Sequence, residues 1–226
     1  MVIEWPDLTA LWLSFKLATV TTVLLIVFTT PLAYWLARTQ SKIKPLIETL
    51  VTLPIVLPPT VLGFYLLILL GPTGWLGSWW VSMTGSALTF SFTGLVIASM
   101  FYSLPFVVQP LQNGFEAIHP RYIEVARTMG ARPLDVFWNV SAPLAKRGFL
   151  TASVLGFAHT LGEFGVVLMV GGNIPGETKV IAIEIFNQVE RLNYETAHVL
   201  SAILLVLAFV MIFMMYYINH KGRRHE

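Results

Sequence analysis

The chain has 226 residues, of which 56% are hydrophobic and only 12% are charged, and its formal net charge is +2. About a quarter of the residues in a soluble domain are charged, so this composition excludes an ordinary soluble domain and indicates a membrane protein. The sequence contains no cysteine, which excludes disulfide bonds, a thiol nucleophile and a cysteine-ligated metal.

The first ten residues, MVIEWPDLTA, contain no basic segment, and no small-residue cleavage site follows the first apolar run. A cleaved secretory signal needs both features. We therefore expect the first apolar segment to remain in the mature protein as a membrane span.

Five apolar segments are long enough to cross a hydrocarbon core of about 30 Å, which takes roughly 20 helical residues. Each is predicted to be a helix, because lipid cannot satisfy open backbone groups. The sequence therefore predicts an all-α polytopic protein in which residues 1–226 form a single transmembrane domain. The predicted spans are 11–37, 46–70, 88–108, 149–170 and 199–219.

The second predicted span contains three prolines within six residues, Pro54, Pro58 and Pro59. Proline removes a backbone hydrogen bond and kinks a helix, so a bend is expected here. Two interpretations remain open: the bend is a structural feature of the helix start, or it is a deformable element beside a transport path.

Most of the Lys and Arg residues lie in three segments, 38–45, 109–148 and the C-terminal tail from 220. With five spans, all three segments lie on the same side of the membrane. The positive-inside rule then predicts an outside N-terminus and a cytosolic C-terminus. A sixth span at 180–189 would turn the basic tail outward, and this segment is short and contains Glu184. We interpret it as an outer re-entrant or interfacial helix.

Residues 110–148 form a long polar insert between the third and fourth spans. Its sequence predicts two short helices, with Gly130 as a left-handed cap after the first and Pro143 at the end of the second. The second helix has an apolar stripe of Val136, Phe137 and Val140. Such a stripe fits either a groove on a partner protein or the surface of its own chain.

The segment EVARTMGARPLDVFWNVSAP resembles the EAA motif of permease subunits of binding-protein-dependent ABC importers. The spacing of the motif is kept throughout, and its departures are apolar replacements at Val125, Val140 and Ala142. The resemblance implies a cytosolic coupling helix that docks on an ATP-binding subunit. The residues assigned to coupling are Glu124, Ala126, Gly130, Val136, Phe137, Val140 and Pro143.

The segments LPIVLPPTVLGFYLL, SLPFVVQPLQNGFEAI, LGEFG and GGNIPGET extend the resemblance to the molybdate permease subunits and their sulfate, thiosulfate and tungstate relatives. The short length and five spans favour the molybdate group. The resemblance implies a type I importer permease in the bacterial cytoplasmic (inner) membrane. It further implies a homodimer around a central path, cytosolic ATP-binding subunits and an extracytoplasmic molybdate-binding protein. Sulfate, thiosulfate and tungstate stay open as alternative substrates.

The chain itself shows no sign of an enzyme. GGNIPGET has two glycines spaced as in a phosphate-binding loop, but Glu177 and Thr178 stand where Lys and Ser or Thr are needed. We therefore expect ATP hydrolysis in a separate subunit, and no cofactor. The histidines show no ligand spacing, so no metal site is predicted. No nucleic-acid surface is apparent, and the basic tail is interpreted as a contact with anionic membrane lipid.

Glu163 is the one carboxylate well inside a predicted span, and His159 precedes it by four residues. Such a carboxylate is costly unless it is partnered. We predict a hydrogen bond that ties the fourth span to a neighbour near a gate. An autonomous carrier or membrane enzyme that uses these two residues is the alternative of another class.

A path for a dianion is expected to bind weakly, because a buried Arg or Lys would slow release. Small and polar residues at the spans therefore form the candidate path or gate, although any one of them could serve helix packing alone. The candidates are Pro58, Pro59, Thr60, Ser103, Thr160 and Glu163.

Overall fold

The structure is a computed structural model that describes residues 8–223, with side chains described as far as His220. The described residues form twelve α-helices and one π-helical turn, and they contain no strand. This confirms the predicted all-α class. The helices are α1 (Thr9–Arg38), α2 (Lys44–Val56), α3 (Pro59–Leu70), α4 (Trp75–Thr84), α5 (Phe92–Glu116), α6 (Pro120–Thr128), α7 (Pro133–Val136), α8 (Ala142–Leu144), α9 (Lys146–Leu161), α10 (Gly165–Gly171), α11 (Ile181–Glu190) and α12 (Tyr194–Arg223).

Three of these helices, α1, α5 and α12, are long and apolar enough to cross a membrane unbroken. The other two predicted spans are each divided between two helices. The α2–α3 pair bends by 112° and the α9–α10 pair by 61°. Counting each bent pair as one span gives the predicted five. The basic side chains of the tail lie within residues 221–226, so the predicted lipid contact of the tail lies outside the described side chains.

The third span is longer than predicted, since α5 runs on to Glu116 rather than ending near residue 108. Its last two turns are polar on one side only. Gln109 donates to Thr52 and Gln112 donates to Glu48, so both amides bond to α2. The opposite side buries Leu111 and Phe115 completely. Hydropathy alone ended the span too early because it averages these two faces.

The break between α2 and α3 has a direct cause in its prolines. Pro58 is extended, with φ −54° and ψ 136°, and Pro59 begins α3. Neither residue has an N–H to continue the α2 hydrogen-bond ladder, and a residue before proline disfavours the α conformation. The predicted bend of the second span is therefore present, and it is sharp enough to make two helices.

Helix α5 lies at the centre of the molecule and packs on α1, α2, α9 and α10. It approaches α9 closely where Gly114 meets Gly148. A Cβ added at Gly114 would lie 2.9 Å from the Gly148 Cα atom, so only glycine fits here. Small residues permit such close helix crossings in membrane proteins.

Two of the three basic segments, 38–45 and 109–148, meet at one end of the helix bundle. Arg38, at the end of α1, donates to the Phe115 and Ile118 carbonyls at 2.9 and 3.3 Å. Lys44, at the start of α2, lies 3.3 Å from Glu116. We call this the basic end. Its placement agrees with the predicted topology, while the direction of the chain across the membrane stays a prediction.

Helix α11 lies at the opposite end of the bundle, where the Ile181 N–H donates to the Ser14 hydroxyl at 2.7 Å. It has ten residues and packs on α1 and α12. A helix of that length spans about 15 Å, about half of a hydrocarbon core. The structure therefore gives no sixth span at 180–189.

Candidate functional site

The breaks of the two bent spans lie against each other. A Cβ added at Gly165 would lie 2.7 Å from the Pro59 Cβ, and one added at Gly63 would lie 2.9 Å from the Met169 Cβ. The short helices α3 and α10 thus pack as a pair beyond the breaks. Of the predicted gate residues, Pro58 and Thr60 are exposed at this point and Pro59 is half-buried.

Glu163 lies in the break between α9 and α10 and is only 6% exposed. Its carboxylate accepts a hydrogen bond of 2.8 Å from the Val166 N–H, in the first turn of α10. The first amides of a helix have no partner within the helix, and its N-terminus favours negative charge. The prediction of a bond to a neighbouring span was therefore wrong, because Glu163 joins the two halves of its own span.

His159 and Glu163 also do not share a helix face as the i, i+4 spacing suggested. Helix α9 ends at Leu161, so the helical register is lost before Glu163. His159 turns instead toward α5, where its ring stacks on Phe106 with centroids 3.8 Å apart. The shared helix face that the spacing would give these two residues is therefore absent.

Ser103, His159 and Thr160 form a hydrogen-bond chain between α5 and α9. The Ser103 hydroxyl lies 3.0 Å from Nδ1 of His159 and 2.9 Å from the Thr160 hydroxyl. Thr160 gives its single proton to the Gly156 carbonyl. Ser103 must then donate to Thr160 and accept from Nδ1 of His159, which places the ring proton on Nδ1. The path candidates Ser103 and Thr160 are both buried in this helix contact.

A cavity of about 600 Å³ lies between α2, α5, α9 and α12, on the basic-end side of the His159 ring. Phe106 lines it and stacks on that ring. Sequence reasoning considered Thr151 as one of several small polar path residues. It missed the other polar residues of the cavity, because it sought small residues within spans and assigned the start of α9 to a loop. The period of α9 could have placed 147 and 151 on one face. The polar lining consists of Gln109, Asn113, Arg147, Thr151 and Asn219.

The insert between the third and fourth spans begins as predicted. His119 precedes α6, and its ring nitrogen accepts from the Arg121 N–H at 3.2 Å. Gly130 has φ +87°, a left-handed conformation that suits glycine. Glu124 is exposed and lines a smaller cavity of about 390 Å³ between α1 and α6. Ala126 is half-buried, and its carbonyl accepts from the Ala131 N–H.

The second half of the insert differs from the prediction that Pro143 ends its helical run. Helix α7 passes into a π-helical turn at Phe137–Ser141, and Pro143 lies in the first turn of α8. Proline has no N–H for the bond to the carbonyl four residues back. The wider π turn, which closes from the Ala142 N–H to the Phe137 carbonyl, accommodates this loss and lets the helix continue.

The apolar stripe of this insert faces the protein itself. Val136 is 1% exposed, and the Phe137 ring lies 5.3 Å from the Tyr34 ring and 6.1 Å from the Phe115 ring. Val140 is half-buried and Pro143 is exposed. The exposed apolar surface of the insert is formed by other residues. They are Tyr122, Val125, Met129, Leu134 and Trp138, which are 59%, 49%, 82%, 72% and 68% exposed.

Five apolar spans, two of them broken at adjoining points, and an exposed apolar surface on a loop at the basic end define a polytopic membrane transport subunit. Residues 29–224 match the family described as "Binding-protein-dependent transport system inner membrane component". The chain belongs to this family, and it is therefore an inner membrane protein.

The curated relatives include molybdenum and sulfate transport proteins. The chain is 55% identical to the molybdenum transport system permease protein ModB of Azotobacter vinelandii, with 96% of each chain covered. It is 37% identical to ModB of Mycobacterium tuberculosis, over 91% of this chain and 81% of that one. It is 32% identical to the sulfate transport system permease protein CysT of Synechocystis, over 87% and 68%.

Two solved structures with the same fold are ABC transporters. An inward-facing structure of the MetNI methionine ABC transporter matches with a TM-score of 0.68 and 17% identity, over 94% of each chain. A bacterial alginate ABC transporter in complex with its alginate-bound periplasmic protein matches with a TM-score of 0.71 and 18% identity, over 96% of this chain and 78% of that one. At these identities the likeness establishes the fold.

Proposed function

We propose that this chain is the membrane-spanning permease subunit of an ATP-driven importer for molybdate. The observation that carries the proposal is the 55% identity, over 96% of each chain, to a molybdenum transport permease. Lower identities do not separate the substrates, because a sulfate permease of Chlamydomonas reinhardtii is 38% identical over 90% of this chain. The substrate assignment therefore depends on the more similar relative.

The permease would depend on separate cytosolic subunits for ATP hydrolysis. The exposed apolar surface of Met129, Leu134 and Trp138 supports docking there, because an apolar helical surface fits a groove on a partner. Glu124, Gly130 and the π turn would shape this surface. Closure of the ATP-binding subunits on ATP would then move the insert relative to the spans.

A second copy of the chain and an extracytoplasmic binding protein complete the proposed importer. Pro58 and Thr60 are exposed where the bent spans meet, so one copy does not enclose a path at that point. A homodimer around a central path would enclose it. The end opposite the insert, which includes α4 and α11, would receive the binding protein. The alginate transporter described above is in complex with a periplasmic protein.

Transport by alternating access requires that ATP and substrate have different affinities for the inward-facing and outward-facing states. In this chain the breaks at 57–58 and 162–164 separate α3 and α10 from the basic-end halves of their spans. Movement at these two breaks would open one side of the path and close the other. Glu163, which joins α9 to α10, would then act at the gate by positioning α10.

The test is uptake of labelled molybdate by cells that express this chain with an ATP-binding subunit and a molybdate-binding protein. We expect uptake that needs both partners, that excess tungstate reduces and that excess sulfate leaves unchanged. Competition by sulfate, or an absence of molybdate uptake, would favour a sulfate or thiosulfate importer, as the 32–38% identical sulfate permeases allow. Uptake without any ATP-binding subunit would favour an autonomous carrier instead.

A further inference from the structure

A second cavity at the basic end shares part of its lining with the cavity between α2, α5, α9 and α12. This second cavity, also about 600 Å³, lies between the end of α5 and the start of α9. His119 and Lys146 line it. Gly114, Arg147 and Gly148 line both cavities, so Arg147 lies where the two adjoin.

The chemistry of both linings suits an anion. Lysine, arginine and side-chain amides supply N–H donors, and no carboxylate occurs among the described residues that line either cavity. The nearby Glu116 is held by Lys44 at 3.3 Å and by Gln112 at 3.0 Å. The first cavity also adjoins the N-terminal turn of the sixteen-residue α9, the positive end of its dipole.

The geometry points to an oxyanion subsite in the first cavity, which deepens the proposed function and rests on it. We propose that Arg147, with the side-chain amides of Gln109 and Asn113 and the Thr151 hydroxyl, binds a tetrahedral dianion on its way to the basic end. The planar guanidinium can give two parallel hydrogen bonds to such an ion. Arg147 makes an interaction of its own within the protein, and its five N–H donors allow it to serve more than one partner.

The position of this subsite would allow an oxyanion both to bind and to be released. The cavity volume is many times that of one water molecule, which occupies about 30 Å³ in the liquid, so the ion can keep much of its hydration shell. A hydrated ion beside one arginine is held weakly. The adjoining Lys146 would then favour its movement toward the surface of the basic end.

The test uses the absence of cysteine to report on this cavity. Leu155 lines the cavity without belonging to the proposed ligands, so Leu155→Cys gives a single thiol inside it. The assembled transporter in membrane vesicles is treated with thiol reagents of equal size and opposite charge. We expect the anionic reagent to react faster, and molybdate or tungstate to slow the reaction. Ile55→Cys, across the cavity on α2, is a second reporter should Leu155→Cys fail to assemble.

Arg147→Gln in the reporter protein should lower the preference for the anionic reagent, and the apparent affinity for the protecting oxyanion, by about tenfold, the loss expected for a charged hydrogen-bonding partner. Arg147→Lys should retain part of the preference and part of the affinity, since lysine keeps the positive charge but lacks the planar pair of N–H donors. Lys42→Gln removes an exposed charge at the same end and should change neither. Ser41→Cys, exposed outside the cavity, should show no protection.

The outcomes separate this inference from the proposed function. If labelled molybdate enters normally, yet no oxyanion protects Leu155→Cys and Arg147→Gln changes nothing, the subsite is wrong and the importer assignment stands. If sulfate protects and molybdate neither protects nor enters, the subsite stands and the proposed substrate is wrong. Equal reaction rates for the two reagents, with or without Arg147, would overturn the subsite.

Discussion

Glu163 shows at the scale of one residue how a buried carboxylate can be satisfied without a cation. The interruption of its span at 162–164 frees the first amides of α10, and the carboxylate accepts the Val166 N–H. The cost of burying the side chain is thereby reduced, and the two half-helices are joined at their bend. The gate role of Glu163 remains a prediction.

We predict that Glu163→Gln lowers molybdate uptake while the assembled complex stays visible on a native gel. The amide oxygen can still accept from Val166, but the charge that favours the N-terminus of α10 is lost. Glu163→Ala loses both the hydrogen-bond acceptor and the charge, and should lower the stability of the complex by about 1–2 kcal/mol, as for other helix caps. Thermal unfolding of the purified complex measures this. Unchanged uptake in Glu163→Gln would remove Glu163 from the gate.

At the scale of the element, the insert between α5 and α9 has one set of apolar residues packed on the protein and another set exposed. Phe137 anchors it to Tyr34 and Phe115 and Val136 is buried, while Met129 and Trp138 remain exposed. Matching the motif by sequence located the insert and its glycine turn. It could not tell which apolar side chains face the protein, because both sets occur within one short amphipathic segment.

We predict that Gly130→Val weakens capture of the ATP-binding subunit in a pull-down while the permease still inserts into the membrane. A β-branched residue opposes the φ of +87° and would turn the exposed surface of the insert. Gly85→Val is the matched control, since Gly85 has φ +73° and equally open surroundings at the far end of the bundle. Equal capture by both variants would contradict the coupling assignment of the insert.

Helix α11 offers a pH-dependent contact outside the membrane spans. Burial alone would raise the pKa of Glu184, but hydrogen bonds from Lys179 and Gln188, with the charges of Lys179 and Arg191, lower it below its usual value of 4.5. The Lys179 nitrogen lies 2.8 Å from the carboxylate. A carboxyl group with a lowered pKa stabilises the folded state above its unfolded pKa, and this contribution disappears as the pH falls through the folded pKa.

We therefore predict that the stabilisation from Glu184 is constant above about pH 5 and is lost progressively below pH 4.5. Glu184→Gln should be less stable than the parent at neutral pH, and the difference should shrink in acid. Thermal unfolding of the detergent-solubilised protein at several pH values measures it. Glu177→Gln, an exposed acid nearby, is the charge-matched control. A difference that stays constant down to pH 3 would contradict the prediction.

At the scale of the whole molecule, the five spans place the basic segments 38–45 and 109–148 at one end. There, Arg38 is hydrogen-bonded to the end of α5 and Lys44 forms an ion pair with it. Ser86 lies in the connection between α4 and α5, at the far end, and is exposed. The charge asymmetry predicts that the basic end faces the cytosol.

We predict that an impermeant thiol reagent labels Ser86→Cys in spheroplasts and labels Ser41→Cys only after lysis. Both positions are exposed, and the chain has no other thiol. The cysteine-free parent controls for background labelling. Labelling of Ser41→Cys in intact spheroplasts would reverse the proposed orientation, although the fold would be unaffected.

The sequence by itself determined the membrane class, the number of spans, the position of the insert and the left-handed turn at Gly130. These features depend on hydropathy, charge placement and local backbone preference, all of which act within one segment of chain. The sequence did not predict the full length of α5, because the last turns of this helix are polar on one face only.

Only the tertiary structure decided which distant residues meet. It shows that Pro59 and Gly165, in two different broken spans, are in contact, and that Glu163 accepts from Val166. It also shows that Val136 is buried and that Arg147 lines a cavity. Each depends on how helices far apart in sequence cross and where their ladders are interrupted. Local periodicity carries no information about either.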